Sequence, residues 1–212
     1  MRRTDYRFII KLSIFITLLF SNIVYASPAV IPSFRDSYQV LPIDKYTNKY
    51  DKHFIKYTKQ YFGMGFNWKW FKAQTCAESA FKETIKSPVG AAGLMQIMPG
   101  TFREITAKTK IPNEPFTAKW NISAGIYYDS TLYKQWRSPR PETDRIVKTM
   151  ASYNCGIGNV LKGQKMCTTG GNTNCNTWAG VKKAAPKVKS WKYQETLGYV
   201  SRITKLMGIS GF

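Results

Sequence analysis

Tyr46, Tyr50, the neighbours His53 and Phe54, Tyr57 and Tyr61 recur at three- and four-residue intervals. That spacing lays an aromatic stripe along one face of a helix, and such a stripe must be covered by other elements. The same period returns downstream. Trp70/Phe71, Ala73, Ala77 and Phe81 form the inward face of a helix that Asn67 can cap and that runs to about Lys82. A short helix is expected from Pro99 or Thr101 to Lys108. Ile122, Ile126, Leu132/Tyr133 and Trp136 mark the next, starting near Asn121, and Ile146/Val147, Met150 and Tyr153 mark one that begins at Pro141. Tyr199/Val200, Ile203 and Leu206/Met207 give a last helix from Glu195 to Met207, while residues 156–194 read as loop-rich. No alternating run is long enough for a strand, and no internal repeat is visible. With 212 residues, 43% of them hydrophobic, the reading is one mostly helical domain.

That domain is expected to span 44–212, behind two segments of other character. Arg2, Arg3, Arg7 and Lys11 precede the apolar stretch from Leu12 to Phe20, and Val24-Tyr25-Ala26 offers small-residue cleavage positions. This is the pattern of a secretory signal peptide over residues 1–26. Its apolar run is about half of the ~20 residues a spanning helix needs, so no stable membrane span is expected after cleavage; an uncleaved anchor is the alternative. Residues 27–43 carry Pro28, Pro32 and Pro42 and read as an extended lead-in. The expected location is therefore exported and periplasmic, or associated with the cell envelope.

Charge and cysteines narrow the function. Lys and Arg number 32 against 12 Asp and Glu, a formal +20, which calls for an anionic partner. Export argues against nucleic acid and favours anionic envelope polymers. With His53 as the one histidine and no C-x-x-C, neither a catalytic triad nor a metal site is expected. Cys76, Cys155, Cys167 and Cys175 make an even count for an oxidising compartment. Cys167 and Cys175 flank a short polar loop, so Cys167–Cys175 and Cys76–Cys155 are the expected disulfides; two buried free thiols at 76 and 155 are the alternative.

Glu78 is the unusual residue. It falls on the apolar stripe of its helix, seven residues after Phe71 and three before Phe81. Burial there disfavours the ionised form, and a carboxylic acid of raised pKa is what a glycosidase needs to protonate a leaving oxygen near neutral pH. A surface carboxylate paired with Lys82, four residues on, is the competing reading.

The string around it carries more. Glu78-Ser79-Ala80-Phe81, then Ser87, then Gly90-Ala91-Ala92-Gly93-Leu94-Met95-Gln96-Ile97-Met98-Pro99-Gly100-Thr101 resembles the signature of the soluble-type lytic transglycosylases, glycoside hydrolase family 23. Ala151-Ser152-Tyr153-Asn154-Cys155-Gly156 resembles that family's Ala-Tyr-Asn-Ala-Gly segment, with Cys155 where Ala is usual, and Glu195-Thr196-Leu197-Gly198-Tyr199-Val200 its Glu-Thr-x-x-Tyr-Val helix. The matches span about residues 67–207. The resemblance implies a goose-type, lysozyme-like helical domain with a substrate groove. It implies that Glu78 is the catalytic acid/base and that Ser87, Gln96, Met98, Tyr153, Asn154 and Tyr199 line the sugar site. If Cys76 and Cys155 are bonded, they would staple the catalytic helix to the Tyr-Asn segment.

The resemblance also implies the substrate and the reaction. Peptidoglycan glycan strands are cleaved between N-acetylmuramic acid and N-acetylglucosamine by a single glutamate, without cofactor, to leave a 1,6-anhydromuramic end. A second carboxylate is not obvious in the sequence; Glu83 and Glu104 are near only in order. Plain hydrolysis of the same bond, and a non-catalytic peptidoglycan-binding protein, are the alternatives. Small exported enzymes of this kind fit the local wall-opening role of a secretion or conjugation apparatus.

Overall fold

The computed structural model describes residues 41–137, 141–171 and 174–212; the expected signal peptide and nearly all of the lead-in lie outside them. A short 3-10 turn, Pro42–Lys45, leads into α1 (Asp51–Phe62), followed by α2 (Lys69–Ser79), α3 (Pro99–Lys108) and α4 (Ala118–Gln135). The chain continues through α5 (Glu142–Cys155), α6 (Ile157–Thr169) and α7 (Trp178–Ala184), and closes with α8 (Tyr193–Leu206). Among the described residues there is no sheet, only two isolated antiparallel bridges, Lys86 with Ala92 and Ala92 with Ile97.

The helices meet along the stripes read from the sequence. Phe54, Phe71, Ile122, Ile126, Val147 and Met150 are all buried in one continuous core. α1 packs on α4, α4 on α5, and α5 on α8, which also covers α2. Aromatic contacts seal the α1–α2 corner, with Phe62 against Phe66 and Phe71 at centroid separations of 4.4 and 4.9 Å. His53 belongs to this scaffold, stacked on Tyr57.

Two features differ from the sequence reading. The stretch 156–194 is not loop-rich: α6, α7 and a 3-10 turn, Ala185–Lys187, occupy much of it. Its inward positions on α6 are Val160, Gly163 and Cys167, a stripe of small residues without a strong apolar period. Gly163 is small because Trp191 and Val181 press on it; an added Cβ would lie 3.0 Å from the Trp191 ring. The Cys167–Cys175 disulfide forms, with its Cα atoms 5.5 Å apart. It sits with Ala184 in a small core of its own. The buried Lys148 joins that core to α5, its ammonium donating to Gln164 Oε1 and the Cys175 carbonyl.

The second difference is that the expected Cys76–Cys155 bond is not formed; both thiols are free. Cys76 is flanked by Tyr46 and Arg202, whereas Cys155 is flanked by Thr196 and Trp191. The two thiols thus have different neighbours on α8, Thr196 for Cys155 and, six positions further on, Arg202 for Cys76.

Candidate active site

α2 ends abruptly. Asn67 Oδ1 accepts a hydrogen bond from Lys69 N at its start, and the helix stops at Ser79 rather than Lys82. Ala80 and Phe81 both take left-handed backbone, φ 49° and 63°. Two consecutive non-glycine residues in that region mark local strain of a kind that collects at functional sites. The break leaves Glu78 in the last turn, where the carbonyl end of the helix opposes negative charge.

The Glu78 carboxyl is enclosed by protein atoms, although the residue keeps an open edge. Burial is the main cause that lifts its pKa from 4.5 to about 7, and nearby Glu195 pushes the same way. Two contacts on α8 oppose the rise: the Tyr199 hydroxyl, which donates to Oε1 at 2.6 Å, and the Arg202 guanidinium. Among the described residues Glu78 has no ion pair with Lys82. The carboxyl is therefore poised near neutrality, able to give a proton and take one back.

The loop after α2 is tied to this cluster through Tyr153. Ser87 opens a tight turn, its backbone accepting from Gly90 N and its hydroxyl from Ala91 N at 2.9 Å. Gly93, φ +75°, passes so close to its neighbours that a Cβ would sit 2.3 Å from the Pro115 carbonyl. Buried Asn121 on α4 ties the loop down, accepting from Met95 N at 2.7 Å and donating to the carbonyls of Ala92 and Pro115. Gln96, φ 45°, donates its amide to the carbonyls of Ile85 and Gly93. Met98, at the start of α3, is 44% exposed, so it is not core filling.

Tyr153 on α5 reaches this loop by donating to the Met95 carbonyl at 2.7 Å, and its phenol lies within the field of Glu78. Asn154 is held at one remove: Trp191 Nε1 donates to Thr196 Oγ1, which donates to Asn154 Oδ1 at 2.8 Å. The structure thus brings Glu78, Tyr153 and Tyr199 into one cluster, with Asn154 anchored to α8. Ser87 and Gln96 are held in the turns of the loop after α2 by bonds within that loop. Thr196 and Trp191 were not singled out from the sequence. Neither was Asp129 on α4, fully buried and close enough to Glu78 for the two carboxyls to interact. The signal for Asp129 was available, because it is one turn beyond Ile126 on the inward stripe.

Of the two other acids near in order, Glu83 binds Lys49 and Tyr50, which hold its carboxyl below the usual range. Glu104 is exposed on α3. No group of His, Cys, Asp and Glu able to hold a metal ion occurs among the described residues, nor does any helix there have the length and apolarity to cross a membrane.

A helical domain with an enclosed, tyrosine-bonded glutamate between a glycine-rich loop and a final helix has the layout of the lysozyme-like fold. Residues 54–174 match the transglycosylase SLT domain, and the chain belongs to that family. It is 33% identical over 168 residues to the soluble lytic murein transglycosylase of Salmonella typhimurium, covering 76% of this chain and 22% of the relative. It is 28% identical over 157 residues to membrane-bound lytic murein transglycosylase F of Shewanella pealeana, covering 74% of this chain and 30% of the relative. The chain thus spans less than a third of the length of these curated relatives. Among solved structures it resembles the 70-kDa soluble lytic transglycosylase of Escherichia coli, with TM-score 0.59 and 27% identity over 78% of this chain and 24% of that one. Lytic transglycosylase Slt of Pseudomonas aeruginosa, solved as an inactive mutant, gives TM-score 0.60 and 26% identity over 77% and 24%.

Proposed function

We propose that this chain is an exported peptidoglycan lytic transglycosylase with Glu78 as its single acid/base. The observation that carries the reading is the Glu78 carboxyl, enclosed, bonded to Tyr199 and raised to about 7. Its relatives are named as murein transglycosylases, and the Pseudomonas protein was made inactive by a glutamate-to-glutamine change, which supports the same assignment.

Protonated Glu78 gives its proton to the glycosidic oxygen between N-acetylmuramic acid and N-acetylglucosamine. The substrate's acetamido group supports the positive charge that develops at C1. Glu78, now a carboxylate steadied by the Tyr199 hydroxyl, removes the proton from the C6 hydroxyl of the same muramic residue as that oxygen attacks C1. The nucleophile is already tethered to its target, which replaces a second catalytic carboxylate by proximity. No water is consumed, and Glu78 ends protonated. Ser87, Gln96, Met98, Tyr153 and Asn154 would supply polar and apolar contacts to the sugars on either side.

A periplasmic location fits the Cys167–Cys175 bond, which persists in oxidising compartments. The excess of lysine and arginine would hold the enzyme to anionic envelope polymers, in an attachment that weakens as salt rises. The test is digestion of purified peptidoglycan, with products weighed beside those of Glu78→Gln. Muropeptides one water lighter than hydrolysed forms, missing with the variant, are expected. Reducing-end products would make the protein a muramidase, and no release by the wild type would reject the enzymatic reading.

A further inference from the structure

Asp129 and Gln74 are both fully buried, and they face each other between α4 and α2. Gln74 Nε2 donates to Asp129 Oδ1 at 3.4 Å. The other two atoms, Gln74 Oε1 and Asp129 Oδ2, have no hydrogen-bond partner among the described residues while Asp129 is a carboxylate. Two acceptors left unmatched by protein groups in one buried site is a costly arrangement, and a charged, unpaired carboxylate there costs more still. One proton resolves both. Placed on Oδ2, it would make Asp129 a donor with Gln74 Oε1 as the unmatched acceptor beside it, and the two side chains would close a two-bond ring between a carboxylic acid and a carboxamide.

The surroundings agree. The side chains acting on Asp129 are Gln74 and Glu78 from α2, and none of them is a cation that would favour the carboxylate. Asp129 in turn acts on Tyr128 of α4, Tyr153 of α5 and Tyr199 of α8. Glu78 differs: it has the Tyr199 hydroxyl, Arg202 and an open edge, with Glu195 as a like charge. When two neighbouring carboxyls compete for protons, the enclosed one without help keeps its own.

We propose that Asp129 is a positioning residue for Glu78: held as a neutral acid in a ring with the Gln74 amide, it fixes α2 to α4 one turn behind the catalytic carboxyl and keeps a second negative charge out of the site. The role rests on Glu78 as acid/base, because Gln74 precedes it by four residues on the same face of α2. A carboxylate at 129 would make Glu78 hold its proton more tightly and release it at higher pH.

The test exchanges acid and amide in the full chain. Asp129→Asn retains a neutral ring of two amides, so the alkaline limb of kcat/KM on peptidoglycan moves by less than about 0.3 pH unit, with at most about a threefold loss of rate. Gln74→Glu makes the pair two acids sharing a proton, and the limb moves up by about one unit. The double variant Gln74→Glu with Asp129→Asn rebuilds the acid–amide ring in reverse and returns the limb to its wild-type position. A purely structural pair would lower the rate in these variants without moving the limb. A downward shift of a unit or more in Asp129→Asn, or a double variant no better than Gln74→Glu, overturns the proposal. Infrared difference spectra between wild type and Asp129→Asn at pH 7 decide the protonation state without any activity. A carboxylic-acid band lost in the variant supports the ring and a carboxylate band refutes it, whether or not the protein cleaves peptidoglycan.

Discussion

The Tyr199 hydroxyl and Glu78 Oε1, 121 positions apart in the chain, meet at 2.6 Å. The phenol donates, so it favours the carboxylate and holds down a pKa that burial alone would push higher. Tyr199→Phe removes the donor and little else. The alkaline limb of activity is expected to rise by about one unit, with kcat down ten- to a hundredfold as the carboxylate formed in the first proton transfer loses its support. A pH–rate profile of the variant measures both effects.

Glu78 itself should cost stability at neutral pH. Its folded pKa, about 7, lies above the 4.5 of the free group. The folded state therefore holds a proton that the unfolded chain has released, and the penalty grows as pH rises from 4.5 to 7. Glu78→Gln should be inactive yet more stable, by as much as about 3 kcal/mol at pH 8 and by little at pH 4. Denaturant unfolding at the two pH values tests the sign.

Asn121 holds the loop after α2 through three hydrogen bonds, one from Met95 N and two to carbonyls. Asn121→Ala leaves those buried groups unpaired, at a cost of about 3 kcal/mol. Because Tyr153 bonds the Met95 carbonyl, kcat/KM should fall at least tenfold even below the melting range. Chemical denaturation and muropeptide release on one preparation separate the two losses.

The Cys167–Cys175 bridge closes the loop between α6 and α7, and its cysteines form with Ala184 a small core separate from the main one. Replacing both cysteines by alanine should cost about 2–3 kcal/mol. Scanning calorimetry should show the lower Tm, while activity well below it stays within about twofold of the wild type.

Much of the helical frame was legible because its stripes are strongly apolar: Ile122, Ile126, Val147 and Ile203 sit where their period puts them. Glu78 was legible for the opposite reason, as a carboxylate on such a stripe. Asp129 obeys the same logic, but it lies beside Tyr127, Tyr128 and Ser130, where mixed polarity blurs the period. α6 escaped because its inward residues are small and are chosen by Trp191 and Val181, partners from later in the chain. Cysteine count could not decide pairing, since it is the different surroundings of Cys76 on α2 and Cys155 on α5 that keep both thiols free. The candidate Tyr, Asn and Gln were proposed by resemblance; their hydrogen-bond partners, Met95, Thr196 and the Gly93 carbonyl, required the fold.

Gln96 in solution would be ambidextrous, offering N–H bonds and a carbonyl oxygen alike. Folding spends its amide nitrogen on the carbonyls of Ile85 and Gly93. Under the proposed function, what remains for a sugar is the oxygen. A sugar hydroxyl or an acetamido N–H arriving at this loop finds an acceptor, whereas a bare carbonyl or carboxylate arriving there finds no donor from the same side chain. The turn that gives Gln96 its left-handed backbone would thereby also give it, under the proposed function, a polarity of recognition.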